Sequence, residues 1–235
     1  MSLPRSTMEL TAELVALVER TEPDPGPTPD LLAPSVADLE AGARALLASR
    51  PDGPLWLFAY GSLIWKPELE HLESRQALVR GWHRRFCMRL TRWRGTREMP
   101  GLMMALDRGG SCAGLAYRLS DADAHGQLVR LLARETDSRR PTNVPRWLRL
   151  VTPEGPLRAL AFVASPYGAN YVGRLPQQVV ARTLARAAGH WGSGAQYLYN
   201  TVAQLEAHGI RDRNLWALQA RVAAEIRALR MPLAA

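Results

Sequence analysis

Lysine is almost absent from this chain. Lys66 is the only one, so nearly all of the 30 basic residues are arginines, and with 22 acidic residues the formal net charge is +8. Cysteine is nearly as scarce. Cys87 and Cys112 are the only two, which excludes a disulfide framework and any zinc site built on paired cysteines. No apolar run approaches the roughly 18 residues of a membrane span. The N-terminus lacks the basic patch and apolar segment of a secretory signal. The five histidines, His71, His83, His125, His190 and His208, have no H-x-x-x-H or similar ligand spacing. There is no internal repeat and no recognisable nucleic-acid module. These absences point to a soluble, cytoplasmic protein.

What is present is enough for a packed core. Of the 235 residues, 47% are hydrophobic and 22% charged, so one full-sized domain, alone or with an extension, is expected. Seven arginines fall between Arg80 and Arg97. That run admits three readings: a phosphate-neutralising surface for nucleic acid, attraction of a small acidic substrate, or a solvated basic face.

Residues 1–54 read as a helical, proline-rich extension. Met8 to Arg20 has helical spacing, with Leu10, Leu14 and Leu17 on one face. Pro23, Pro25, Pro27, Pro29 and Pro34 then impose an extended connector. Ser35 and Asp38 form a capping-box pattern ahead of a helix over 36–49, and Pro51-Asp52-Gly53-Pro54 ends it.

From residue 55 to about 230 the chain reads as an α+β domain. Strands are expected at 55–60, 76–81, 83–90, 102–107, 112–119, 146–152 and 157–164, separated by glycine or proline breaks. Helices are expected at 121–136, 176–190, 194–208 and 213–229. A largely β segment followed by helices predicts a closed or strongly curved sheet with helices packed outside it.

Two features carry chemistry. The apolar run Leu55-Trp56-Leu57-Phe58-Ala59 feeds into Tyr60-Gly61-Ser62-Leu63-Ile64-Trp65. That order predicts a strand ending in a tight loop. Gly61 is free to adopt positive φ, and the loop's N–H groups are suited to an anion such as a carboxylate. An ordinary strand-to-turn junction fits the same residues. The second feature is Glu135. Leu128, Leu131 and Leu132 define the apolar face of a helix, and Glu135 falls on that face at i+7. It is either at a frayed end in water or held in a partly apolar pocket, where burial raises its pKa toward a value suited to proton transfer. Ser62 is not in a G-x-S-x-G elbow and is a poor nucleophile candidate. Cys87 reads as a small buried hydrophobe, and Glu98 as either a pocket residue or a surface charge.

Together these residues resemble the signature of the ChaC-like γ-glutamylcyclotransferases. The likeness runs from Tyr60-Gly61-Ser62-Leu63-Ile64-Trp65 through Arg85-Phe86-Cys87, Arg94-Gly95-Thr96, Pro100-Gly101 and Gly110-Ser111-Cys112 with Gly114. It continues through Arg134-Glu135, Tyr171-Val172-Gly173, Gln196-Tyr197-Leu198 and Gly209-Ile210-Arg211-Asp212. The resemblance implies the γ-glutamylcyclotransferase-like fold, a small mixed β-barrel with surrounding helices. It implies cleavage of glutathione into 5-oxoproline and cysteinylglycine with no metal or organic cofactor. It also implies Glu135 as the catalytic acid/base and Tyr60, Gly61, Ser62 and Leu63 as the substrate-holding loop. The expected partner is therefore a small molecule, glutathione or another γ-glutamyl peptide, rather than nucleic acid or a membrane; the sequence sets no oligomeric state. The chain departs from the family at Ala59, often a glycine, and after Glu135, where no tyrosine occurs before Trp147. A non-catalytic γ-glutamyl-binding module and, using the arginine run, a nucleic-acid-binding protein are the other functional classes these residues admit.

Overall fold

The computed structural model describes residues 7–20, 22–27, 32–136 and 138–230. Pro29 of the expected connector and the first six residues of the expected extension lie outside these. In chain order the elements are α1 (Ala12–Ala16), α2 (Val36–Ala48), β1 (Trp56–Ala59), α3 (Ser62–Trp65), β2 (Glu73–Leu90) and β3 (Gly101–Arg118). After a 3₁₀ turn at Asp121–Asp123 come α4 (Ala124–Glu135), β4 (Asn143–Thr152) and β5 (Gly155–Ala164). The chain ends with α5 (Gln177–Arg186), β6 (Ala188–Gly189), β7 (Gly192–Ser193), α6 (Gly194–Ala207) and α7 (Arg213–Arg230). Two compact units result: Gly26–Arg89 with Met103–Arg174, and the described residues of Met1–Pro25, Leu90–Leu102 and Leu175–Ala235.

The first of these is organised by a barrel. Every residue from Leu55 to Ala59 is buried, as expected of a strand covered on both faces. β1 runs antiparallel to β3, from Trp56↔Arg118 to Ala59↔Leu115, and parallel to β5 at Leu57↔Leu160. The order β1-β3-β2-β4-β5 closes on itself, with a further parallel pairing of β3 and β5 at Leu106↔Val163. The expected α+β barrel is thus what forms, and closure leaves no open sheet edge. β4 and β5 make a hairpin in register from Asn143↔Ala164 to Thr152↔Gly155. Outside the barrel, α4 buries Gln127, Leu128, Leu131 and Leu132. It packs on α2, whose Gly42 leaves a Cβ position only 3.1 Å from Leu132 Cδ1. The Ser35–Asp38 capping box forms as expected: Asp38 N–H donates to Ser35 Oγ (3.2 Å) and Ser35 N–H to Asp38 Oδ2 (2.8 Å).

The second unit is a helical group of α1, α5, α6 and α7 with the 90–102 segment. Leu10 is fully buried, and its N–H donates to Gln219 Oε1 of α7 (2.7 Å). Arg92 makes a two-pronged pair with Asp24, 2.7 Å on each arm.

Several element boundaries differ from expectation. The strands expected at 76–81 and 83–90 are one strand, as are those at 102–107 and 112–119. Gly81 (φ 82°), Gly109 (φ 100°) and Gly110 (φ 66°) do take left-handed conformations, but the ladder continues past them, so these glycines bend strands instead of ending them. The helix expected over 8–20 is only Ala12–Ala16, capped by Thr11. The one expected over 176–190 stops at Arg186, where Ala187 turns to an extended conformation and Ala188–Gly189 pair with Gly192–Ser193 instead. Residues 62–65 form a single helical turn, not a loop.

Candidate active site

β1 delivers Tyr60 and Gly61 into the interior, both buried. Gly61 sits at φ −140° and N-caps α3, so the positive φ open to it is not used. The first N–H groups of a helix have no partner within it; here they belong to Ser62 and Leu63. Three contacts fix this junction. The Tyr60 hydroxyl donates to the Phe162 carbonyl (2.9 Å), bolting the phenol to β5. Arg84, only 4% exposed, donates from Nε to the Tyr60 carbonyl (2.6 Å) and from Nη2 to the Ala113 carbonyl. Gly114 lies so near Ala59 that a Cβ there would be 2.4 Å from the Ala59 oxygen. The Tyr60 side chain is therefore committed to the barrel, and its carbonyl is held by Arg84.

Glu135 is the last residue of α4, and its side chain is 13% exposed. Its Oε1 lies 3.3 Å from Arg134 Nε, and its Oε2 accepts from Asn143 Nδ2 (3.0 Å). It is therefore held, not frayed. Arg134 also donates from Nη1 to Lys66 O (2.5 Å), Pro67 O (3.1 Å) and Glu68 Oε2 (3.0 Å). Lys66 directly follows α3, so Arg134 clips the end of α4 to the exit of the signature turn. The two sequence features that carry chemistry are joined through that guanidinium. Burial pushes the Glu135 carboxyl above its ordinary value of 4.5. The Arg134 charge and the hydrogen bonds from Asn143 and Arg134 pull it back in part, and the Glu68 charge adds to the rise. The last turn of a helix also disfavours negative charge. A carboxyl so placed exchanges protons nearer neutrality.

A second polar group lies on the barrel. Asp107 is buried and accepts at Oδ2 from Arg85 Nη1 (2.5 Å) and the Tyr171 hydroxyl (3.1 Å). Burial, with the Asp107 charge nearby, pushes the Cys87 thiol up to about 12, which leaves it the inert hydrophobe expected from sequence. Glu98 is exposed in its loop. Among the described residues no group of three His, Cys, Asp or Glu is placed to hold a metal ion, and no helix is long and apolar enough to cross a membrane.

The model of the ChaC-like protein family matches residues 55–225. The chain belongs to that family. It is similar to the glutathione-specific gamma-glutamylcyclotransferase of Escherichia coli strain K12, 41% identical over 177 residues and covering 74% of this chain and 76% of that protein. It is 35% identical over 172 residues to the glutathione-specific gamma-glutamylcyclotransferase 1 of Mus musculus, covering 70% and 75% of the two chains. The crystal structure of the yeast enzyme specific to glutathione superposes with a TM-score of 0.67 at 19% identity, covering 74% of this chain and 97% of that one. At that identity the likeness speaks for the fold alone. The ChaC-like match includes both Tyr60–Trp65 and Arg134-Glu135.

Sequence reasoning gave no role to Arg84, Asp107 or Asn143. For Arg84 a signal existed: Trp82, Phe86, Met88 and Leu90 are the buried alternate residues of β2, and Arg84 is in phase with them. Asn143 carried none, because an asparagine between prolines reads as a turn residue.

Proposed function

We propose that this ChaC-like protein is a γ-glutamylcyclotransferase that converts glutathione into 5-oxoproline and cysteinylglycine, with Glu135 as the acid/base. The reading rests on one observation above the rest: a buried carboxyl of raised pKa, clipped by Arg134 to the exit of the signature turn. The reaction is an intramolecular aminolysis. Glu135 as carboxylate takes a proton from the substrate's α-ammonium group. The freed amine attacks the γ-carbonyl carbon and closes a five-membered ring. As the γ-amide C–N bond breaks, the departing cysteinyl nitrogen receives the proton held by Glu135, and the ring nitrogen gives up its surplus proton, which the freed amine takes up to leave as an ammonium group. No water is consumed and no enzyme nucleophile is needed, so Ser62 serves through its N–H and not its hydroxyl. The backbone N–H groups of Gly61, Ser62 and Leu63, with Tyr60 fixing their origin, hold the α-carboxylate and keep the flexible chain curled for attack. One C–N bond forms and one breaks with no change of oxidation state, so the chemistry calls for no redox cofactor.

Residues 55–230 are assigned the catalytic role and 1–54 an accessory one. Neither cysteine is in a disulfide and both are buried, in keeping with a reducing, cytoplasmic setting. The test is direct. Purified protein is incubated with glutathione and 5-oxoproline is followed by chromatography. Wild-type protein forms it, and Glu135→Gln, with an unchanged circular dichroism spectrum, loses about 10²–10⁴ of turnover, the range for removing a general acid/base. Full activity in that variant refutes the assignment of Glu135. Calorimetric binding of glutathione without product would instead mark a binding module.

A further inference from the structure

Asn143 opens β4, paired opposite Ala164 of β5, and its side chain is buried. Its surroundings hold it rigidly. The preceding Thr142 accepts from Ser165 N–H at its carbonyl (2.7 Å) and from Asn170 N–H at its hydroxyl (3.1 Å). Gly168 approaches so closely that a Cβ there would be 2.4 Å from Thr142 Cα. The amide's orientation is determined by what it faces. Nδ2 lies 3.0 Å from Glu135 Oε2 and 3.4 Å from the Glu135 backbone oxygen. A backbone carbonyl only accepts, so the amide nitrogen must face it. Oδ1 is then directed elsewhere, buried and without a hydrogen-bond partner. Buried acceptors are seldom left without a donor.

We propose that Asn143 orients both halves of the proton transfer: its N–H fixes the Glu135 carboxylate, and its amide oxygen accepts an N–H of the substrate's α-amino group. This rests on the cyclotransferase reading of Glu135. The chemistry fits the vacant acceptor. An α-ammonium carries three N–H donors. One passes its proton to Glu135 and a second donates to Oδ1. The hydrogen bond to Oδ1 restrains rotation about the Cα–N bond, so the lone pair left along the deprotonated N–H direction stays on the side from which Glu135 took the proton, and attack follows when the γ-carbonyl is held on that same side. Asn143 thereby sets the angle of attack and touches the nucleophile, while transferring no proton itself.

The experiment compares wild type with Asn143→Ala and Asn143→Asp. It uses glutathione as substrate and, as competitive inhibitor, glutaryl-cysteinylglycine, which replaces the α-amino group by hydrogen. Asn143→Ala is expected to lower kcat/KM by about tenfold or more through misorientation. The inhibitor, having no amine, should lose less than about twofold in affinity. The acid limb of the pH–rate profile should move to higher pH, because a donor that favoured the Glu135 carboxylate is gone. Equal losses for substrate and inhibitor, or an unmoved acid limb, overturn the proposal. Should Asn143→Ala fail to melt cooperatively, the isosteric Asn143→Asp decides. Two adjacent carboxyls raise the midpoint further, and a wild-type midpoint in that variant overturns the proposal. A wild-type protein that forms no 5-oxoproline refutes the functional reading and this inference with it. An active wild type, an inactive Glu135→Gln and an unaffected Asn143→Ala refute the role of Asn143 alone.

Discussion

Replacing Gly114 by alanine tests whether the β1–β3 contact sets the position of the signature turn. A Cβ at 114 meets the Ala59 carbonyl oxygen at 2.4 Å and two carbons of the Phe58 ring at 2.9 Å, where ordinary contact begins at 3.4 Å. The oxygen belongs to backbone, so it has no rotamer by which to escape. Relief of the clash moves Ala59 by about 1 Å, and Tyr60 and Gly61 follow it in the chain. Overpacking of this kind costs about 1–3 kcal/mol. For a chain of this length each kcal/mol lowers Tm by about 2–4 °C, so a fall of about 2–12 °C is expected. If the turn holds substrate as proposed, a displacement near 1 Å there also lowers the rate, by up to about 100-fold. Thermal melts and 5-oxoproline formation read the two effects separately. A Tm within about 1 °C of wild type, with kcat/KM unchanged, refutes the reasoning.

Two further outcomes follow from the ionisable groups. A carboxyl whose folded pKa exceeds its unfolded value binds more protons folded than unfolded between those values, so its contribution is complete below the unfolded value and is lost as pH rises through the folded one. Burial raises Glu135 in this way from 4.5, so Glu135→Gln should melt higher than wild type at pH 8, with the gap closing toward pH 4; a lower melting point at pH 8 contradicts the burial argument. Cys87, pushed up to about 12, holds a thiolate fraction of about 10⁻⁴ at pH 8, so a disulfide reagent should label it in denaturant but not in native protein, and rapid native labelling abolished by Cys87→Ser counts against its burial.

The sequence made the barrel's composition legible but not its strand lengths. Leu55–Ala59 announced a buried strand because an unbroken apolar run has few other uses. Gly81 and the Gly109-Gly110 pair read as chain breaks because local pattern cannot tell a left-handed residue that bends a paired strand from one that ends it. The neighbouring strands decide, and they are distant in sequence. Glu135 was visible as a carboxylate on an apolar helix face, yet whether it was frayed or held depended on Arg134 reaching Lys66–Glu68 and on Asn143 reaching back from β4. Asn143 is eight residues away, and no periodicity links it to Glu135.

The arginine bias also acquires a structural meaning. Within Arg80–Arg97, Arg84 and Arg85 in the barrel unit and Arg92 and Arg94 in the helical unit are each bound to protein acceptors. Arg80, Arg89 and Arg97 are exposed. Arg84 holds carbonyls of two separate segments, Tyr60 and Ala113. Arg94 Nη1 donates to Ser193 O (3.0 Å) and Gln196 Oε1 (3.1 Å). Arg134 spans Lys66, Pro67 and Glu68 while its Nε faces Glu135. At Arg84 and Arg134 the role needs donors spread over a rigid plane, so that one side chain meets acceptors in different directions. A lysine ammonium offers its donors from a single point and is more strongly hydrated, so its burial is less readily compensated. At Arg84 and Arg134 the substitution to lysine therefore removes a bridge even though it keeps the charge. Both bridges end on the segment that carries the signature turn. The guanidinium geometry at these two positions, more than the net positive charge, is what the arginine content contributes to the site.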